Sequence, residues 1–304
     1  MTTSLPDGYV LRRGGGADDV KAVTKLIIAE EEAVRGSSRW TENQTCDWFH
    51  GLAGGGELQL VEQDARLVGL LGLFLGPVAR GWIAVEPTRT DGRICSALVR
   101  IAEQVARERE AMKVQIGAFA ENRAVIELLE AAGFRPDRHF YTMQIELNEP
   151  PPPARWPEGI TCTTFDPADA RAFFDATVEA FSEDDDFHPL PFDEWKRRQF
   201  DAPEFDPSLW FVARDKDGIA GIARCWSQRW GCGWVDVLGV RKQWRRRGIG
   251  LALLQHVFQE FHERGRGCVG LEVDTQNPTG ATRLYERAGM RVVAEDVTFV
   301  KELR

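Results

Sequence analysis

The sequence predicts a mixed α/β fold built twice, and three observations carry that expectation. Strand-like apolar runs alternate with runs at helical spacing along the chain. Their order repeats with a period of about 155 residues. Between the repeats stands Pro150-Pro151-Pro152-Pro153, which neither a helix nor a central strand accommodates and which behaves as a stiff spacer. Two mixed α/β domains are therefore expected, over residues 1–148 and 159–304, with a Pro-rich linker at 149–158.

Composition agrees. A chain of 304 residues is long for one small domain. Lys and Arg number 38 against 47 Asp and Glu, a net charge of −9, which argues against a nucleic-acid binder and suits cationic substrates. The stretch MTTSLPDGYVLRRGGGADD has no apolar signal core, and no run reaches the roughly 18 apolar residues of a membrane span, so a cytoplasmic protein is expected. Six cysteines without a C-x-x-C pair and five scattered histidines predict reduced thiols and no structural metal.

In the first copy, Tyr9–Leu11 reads as a strand, and a helix from about Asp18 puts Val20, Val23, Leu26 and Ile27 on one face. Glu57 to Leu75 reads as a hairpin turning near Asp64-Ala65. Trp82 to Val85 is a strand, Ile94 to Arg109 a helix, Val114 to Phe119 a strand, Arg123 to Ala132 a helix stopped by Gly133, and Phe140 to Leu147 the last strand.

The second copy repeats this. Ile160 to Phe165 is a strand, Asp169 to Phe181 a helix, and Trp210 to Cys225 a hairpin over Asp217-Gly218. Then comes Trp234 to Gly250: an apolar strand through Val235, Val237, Leu238 and Val240, a basic glycine-containing turn, and a helix with Leu253, Leu254, Val257, Phe258 and Phe261 on one face. A strand at Val269–Val273, a helix around Tyr285 and a final strand near Val292–Val300 complete it.

A strand that turns through glycines into a helix is an anion site: unpaired N–H groups of the first helical turn and the helix dipole converge there. The turn lacks the Gly-Lys-Ser/Thr of a nucleoside-triphosphate loop and the third glycine of a dinucleotide fingerprint. What remains, Arg245-x-x-Gly248-x-Gly250, resembles the pyrophosphate motif of the GCN5-related N-acetyltransferases, and Asn277 followed by Leu284-Tyr285-Glu286 resembles that family's second half. The resemblance implies tandem domains, each a mixed, mostly antiparallel sheet flanked by helices, and an acetyl-CoA-dependent enzyme that acetylates a small-molecule or peptide amine.

It further implies that the backbone of Leu238, Gly239 and Val240 pairs with the pantetheine arm and that backbone N–H groups of Arg246, Arg247, Gly248, Ile249, Gly250 and Leu251 cradle the diphosphate, with Arg245 and Arg247 adding charge; Asn277 bonds the pantetheine or lines the strand splay, and a solvated turn at Arg246 and a loop-capping Asn277 are the alternatives. Tyr285 corresponds to the thiolate-protonating tyrosine, a phenol of ordinary pKa about 10, with a helix aromatic packed on the sheet as the alternative. Family members carry a Glu on the central strand where this chain has Trp234; Asp236, expected on the same face by the two-residue period, is the candidate base, with a structural Asp as the alternative. Acceptor contacts fall on Asp184 and Asp185, within a run of acids, and on Trp226 and Trp234; a solvated loop and core packing are the alternatives. Tandem layout resembles mycothiol synthase, which implies a cysteinyl-glucosaminyl-inositol acceptor; a non-catalytic acyl-CoA sensor is a further alternative.

The copies differ chemically. Aligning Val85-Glu86-Pro87 with Val240-Arg241-Lys242 puts Arg93 and Cys95 at the two glycines, Asp91 where phosphate lies, and Leu129 at Tyr285. Added Cβ atoms and like charge predict a first copy that keeps the fold, is non-catalytic and has its cradle filled by side chains.

Overall fold

A computed structural model describes residues 5–89, 92–184, 187–202, 205–277 and 279–303. Asp91 and Asp185 lie outside these. The chain forms two compact units, Met1–Phe140 with Glu295–Arg304, and Tyr141–Ala294.

In the first unit β1 (Val10–Arg13), β2 (Gly56–Gln63), β3 (Arg66–Phe74) and β4 (Val78–Val85) pair antiparallel in chain order, and β4 pairs in parallel with β5 (Lys113–Phe119). Two-residue periodicity divides the strands between two cores. Leu60 and Leu70 pack under α1 (Val20–Arg35) and α2 (Glu42–Ala53). Val61 and Leu71 pack under α3 (Arg93–Glu108) and α4 (Arg123–Ala131). Helix α2, absent from the sequence expectations, starts in a capping box: Gln44 N–H donates to Thr41 Oγ1, and Thr41 N–H to Gln44 Oε1 at 2.9 Å.

The final strand of this unit differs from the expectation. Phe140–Leu147 was expected to close it, but β6 (Arg135–Glu146) passes at Tyr141 into the second unit, where Met143 and Leu147 are buried in that core. In its place β12 (Arg291–Glu302) lays Asp296–Glu302 antiparallel on β5 and buries Val297 and Phe299 in the first core. Each closing strand buries large apolar side chains in the core that it joins.

The second unit repeats the plan. Strands β7 (Thr161–Thr164), β8 (Trp210–Asp215), β9 (Gly218–Arg229) and β10 (Cys232–Val240) are antiparallel in turn, β10 pairs in parallel with β11 (Cys268–Asp274), and β6 follows β11. Phe173, Trp195, Trp210 and Val212 fill one face under α5 (Ala170–Phe181) and α6 (Phe192–Phe200). Phe211, Leu253, Leu254 and Phe258 fill the other, under α7 (Ile249–Glu263) and α8 (Ala281–Arg287).

The expectation of reduced thiols is corrected at one pair. Cys232 and Cys268 form a disulfide with Cα atoms 4.9 Å apart. The parallel register Gly233↔Val269 sets the two cysteines opposite each other, although 36 residues separate them in sequence. Cys46, Cys95, Cys162 and Cys225 are free thiols, and no metal-binding group of His, Cys, Asp or Glu occurs among the described residues. No helix among them is long and apolar enough to cross a membrane.

Phe299, 1% exposed and supplied by the last strand, anchors the first core. Phe299→Ala is expected to cost about 3–5 kcal/mol, read by denaturant unfolding. Amide exchange should locate the loss in residues 10–140 and leave α7 protected; uniform loss would contradict the exchanged strand.

Candidate active site

The site is built where β10 leaves β11. The two pair only from Gly233↔Val269 to Val235↔Leu271, while β9 follows β10 as far as Gly221↔Val240. Beyond Val235 one edge of β10 therefore has its N–H and C=O groups turned away from any ladder with β11, an edge that an added extended chain can pair with. Val235 opposes Cys225 and Val237 opposes Arg224, so Asp236 is the extra residue of a β-bulge. The bulge breaks the alternation that put Asp236 and Trp234 on one face: Trp234 is fully buried, whereas Asp236 is half-buried and accepts from Arg224 Nε at 2.8 Å and from Nη2.

The turn after β10 is braced before it reaches the helix. Trp244 is buried and its indole N–H donates to Asp215 at 2.6 Å, holding that carboxyl below its ordinary range. Arg241 donates to Glu179 at 2.6 Å and to Ile219 O at 3.1 Å. Arg245 donates to Val240 O at 3.2 Å and Ala180 O at 3.0 Å, and pairs with Glu183, which Lys242 also meets at 3.3 Å. The sequence expectation gave Arg245 to phosphate; the structure spends its guanidinium on tying the turn to the end of α5. Arg246 and Arg247 remain exposed.

Two left-handed residues then reverse the chain, Arg246 at φ 61° and Gly248 at φ 89°. Nothing lies within 4 Å of where a Gly248 Cβ would stand, so the space above the helix start is open. Ala252 N–H donates to Gly248 O at 3.0 Å as the first turn closes, and the amides of Ile249, Gly250 and Leu251 have no acceptor within the helix. Gly250 serves packing: a Cβ there would meet Leu284 at 3.1 Å, so its absence lets α7 approach α8. Gly239 is similar, since a Cβ would meet Ala180 Cβ at 2.8 Å. Leu238 and Val240 pack against the α7 core, and their backbones stay on the open edge.

Tyr285 sits on α8, buried in the same core, where desolvation pushes its phenol up to about 12. Asn277 is occupied locally: its Oδ1 accepts from Thr279 N–H at 2.9 Å and from the Thr279 hydroxyl at 2.5 Å, closing the loop into α8.

The acceptor expectations divide. Trp226, Trp230 and Trp234 surround Arg229, whose guanidinium lies 5.4, 4.2 and 5.1 Å from their ring centroids. They form a cage for this chain's own cation, with Trp230 edge-on to Trp234 at 4.6 Å. Asp184 belongs to the turn after α5, its carbonyl accepting from Phe187 N–H at 3.0 Å. The neighbouring Glu183 is committed to Arg245.

In the first unit β4 and β5 part after Trp82↔Gly117. Gly92, not Arg93, takes the left-handed position (φ 66°) that opens α3, so a helix-capping glycine survives one residue earlier than the alignment placed it. Cys95 does project a side chain there, and Leu129 is buried at the place of Tyr285, yet the region is a cavity of about 480 Å³ and not filled. Glu30 of α1 lines it. Sequence reasoning missed Glu30, Arg224 and Arg229. Glu30 was visible as an acid continuing the apolar face of Val23 and Ile27; the other two had no linear signal, because hairpin register makes their partners.

Both repeats share one arrangement, a sheet edge opened by parting strands that runs through a left-handed glycine into a helix start, and in the second that start is unobstructed. The chain belongs to the acetyltransferase (GNAT) family, whose model matches residues 21–134 and 171–290. It is 31% identical over 292 residues to the mycothiol acetyltransferase of Thermobispora bispora, covering 92% of this chain and 95% of that one. The crystal structure of a GCN5-related N-acetyltransferase from Sphaerobacter thermophilus matches with a TM-score of 0.89 at 34% identity, over 99% of this chain and 98% of that one. A tandem GNAT protein from the clavulanic acid biosynthesis pathway shares the fold, with a TM-score of 0.75 at 16% identity over 97% and 99% of the two chains. The protein is an N-acetyltransferase, and enzymes of this family use acetyl-CoA as co-substrate.

Burial of Tyr285 is open to direct measurement. In an alkaline absorbance titration, the difference between the wild type and Tyr285→Phe should show one phenolate appearing near pH 12. Its appearance near pH 10 in folded protein would mean that the phenol is solvated.

Proposed function

We propose that the second unit carries the active site and moves an acetyl group from acetyl-CoA to a primary amine by direct attack on the thioester. The carrying observation is the open edge of β10 leading to the unobstructed, Gly248-capped start of α7. These residues fit the co-substrate. The backbone of Leu238, Gly239 and Val240 offers an edge to the pantetheine arm. The amides of Ile249, Gly250 and Leu251, with Arg246 and Arg247, hold the diphosphate. Arg245 positions that turn, and Asn277 shapes the loop into α8.

Acetyl-CoA supplies an acyl group already activated as a thioester. The new bond joins amine nitrogen to carbonyl carbon as the carbon–sulfur bond breaks. Asp236, aimed by Arg224, receives the amine proton directly or through water. Tyr285 keeps its proton through the physiological range, which supports a role as the donor to the departing thiolate.

For the acceptor, a second reading has a specific observation behind it. Relatives named mycothiol acetyltransferase, similar over most of both chains, favour the amine of a cysteinyl-glucosaminyl-inositol over other small amines.

Free-thiol release from acetyl-CoA should appear with at least one member of an amine panel that includes this acceptor. Gly248→Asp should remove it, because a side chain strained at φ 89° brings like charge to the diphosphate. Tyr285→Phe and Asp236→Asn should each lower kcat by about tenfold or more with little change in the KM for acetyl-CoA. Full turnover in Gly248→Asp would move the site elsewhere, and a wild-type kcat in either other variant would remove that residue from the chemistry.

A further inference from the structure

The cavity of the first unit has the makings of a separate ligand site. Its volume, about 480 Å³, falls within the range of small-molecule pockets. Its walls include Val34, Val85, Val125 and Leu128, an apolar lining interrupted by a few polar groups. Chief among these is Glu30, 5% exposed, with Oε1 accepting from Asn122 at 3.4 Å and Oε2 without a hydrogen-bond partner. A buried acceptor left unpaired is costly and calls for a donor.

The remaining charges select the donor's sign. Glu86 and Glu127 line the same walls, and the one guanidinium there, Arg89, is already engaged by Glu86 at 3.2 Å and by the Tyr9 hydroxyl at 2.8 Å. Glu86 is also met by Arg66, so among the described residues of the lining Glu30 and Glu127 are the carboxyls with no cation paired to them, and a protonated amine that ionises Glu30 suits these walls better than a diphosphate. The second unit shows what changed. Residues 21–30 and 171–180 have the same sequence of buried and exposed positions, and this sets Ala180 at the place of Glu30. Where one copy leaves the space beside its parting strand to a methyl group, the other fills it with a carboxyl.

We propose that the first unit binds a small organic amine, with the protonated nitrogen paired to Glu30 and the apolar body against Val34, Val85 and Leu128. Burial raises Glu30 to about 8 against the opposing pull of the Val85 backbone N–H, with Glu31 on its own helix adding to the rise, so amine binding at neutral pH ionises this carboxyl and releases a proton. The other charged groups facing the cavity are Glu86, Arg89 and Glu127, and the Cys95 thiol is raised to about 12 and stays neutral.

The test uses the full chain with tryptamine, phenethylamine, histamine and spermidine, followed by calorimetry and amide exchange. At least one amine should bind, release about one proton at pH 7 in buffers of differing ionisation enthalpy, and protect residues 92–99 and 122–129. Glu30→Gln should weaken it by about tenfold or more, and so should Ala33→Trp, which blocks the cavity from an exposed wall position and spares the core. Gly248→Asp, in the other unit, should leave it unchanged. Glu30→Gln should melt no lower than the wild type at pH 8.5, since no charge is then buried. The proposal fails if none of the four amines binds at millimolar concentration, if binding survives both first-unit variants, or if protection falls only within residues 141–294.

Discussion

Everything at the site depends on two strands that stop pairing. After Val235↔Leu271, β10 and β11 part, and the ladder that would have satisfied the next residues is left to another occupant. An unpaired edge inside a domain is costly in an isolated fold. Here the cost is contained at the base by the disulfide between Cys232 and Cys268, and along the far side by continuous pairing with β9. The top is held by Arg245 and Arg241, which tie the departing turn to α5 through Ala180 O, Glu183 and Glu179. Basic residues near a phosphate site are usually counted as ligands. In this turn Arg241 and Arg245 are engaged by the fold, and Arg246 and Arg247 stay exposed near the helix-start amides.

Duplication gives this chain two openings of one plan with different linings. Both units part their parallel strands, and both open the following helix with a left-handed glycine. The difference lies in single side chains close to that opening: Cys95 against Gly250, Leu129 against Tyr285, and Glu30 against Ala180. None of these changes disturbs the hydrophobic faces of α3 and α7, so folding is retained while the opening is re-lined. The first unit is thus a changed pocket and not a filled one.

Much of this was legible in the sequence because it rests on local patterns. The repeat, the strand–glycine–helix junction and the family resemblance all follow from residues close together in the chain. What was not legible depends on pairing over long separations. The exchange of the closing strands turns on which core buries Met143 and which buries Phe299, and a linear period assigns each to its own repeat. The Cys232–Cys268 bridge needed the parallel register. Asp236 and Trp234 share a face in an ideal strand and separate here because of a bulge that no residue type announces. Trp226 and Trp234 read as acceptor contacts in the sequence, whereas the β9–β10 hairpin brings Arg229 between them and Trp230.

The central claim is that the opening of the second unit receives the nucleotide and that of the first does not. Amide exchange of the full chain with and without coenzyme A measures both at once. Protection is predicted along Val237–Val240 and at Ile249–Ala252, with Ile83–Val85 and Arg93–Ser96 unaffected. Protection of the first-unit segments, alone or together with those of the second, would contradict the account.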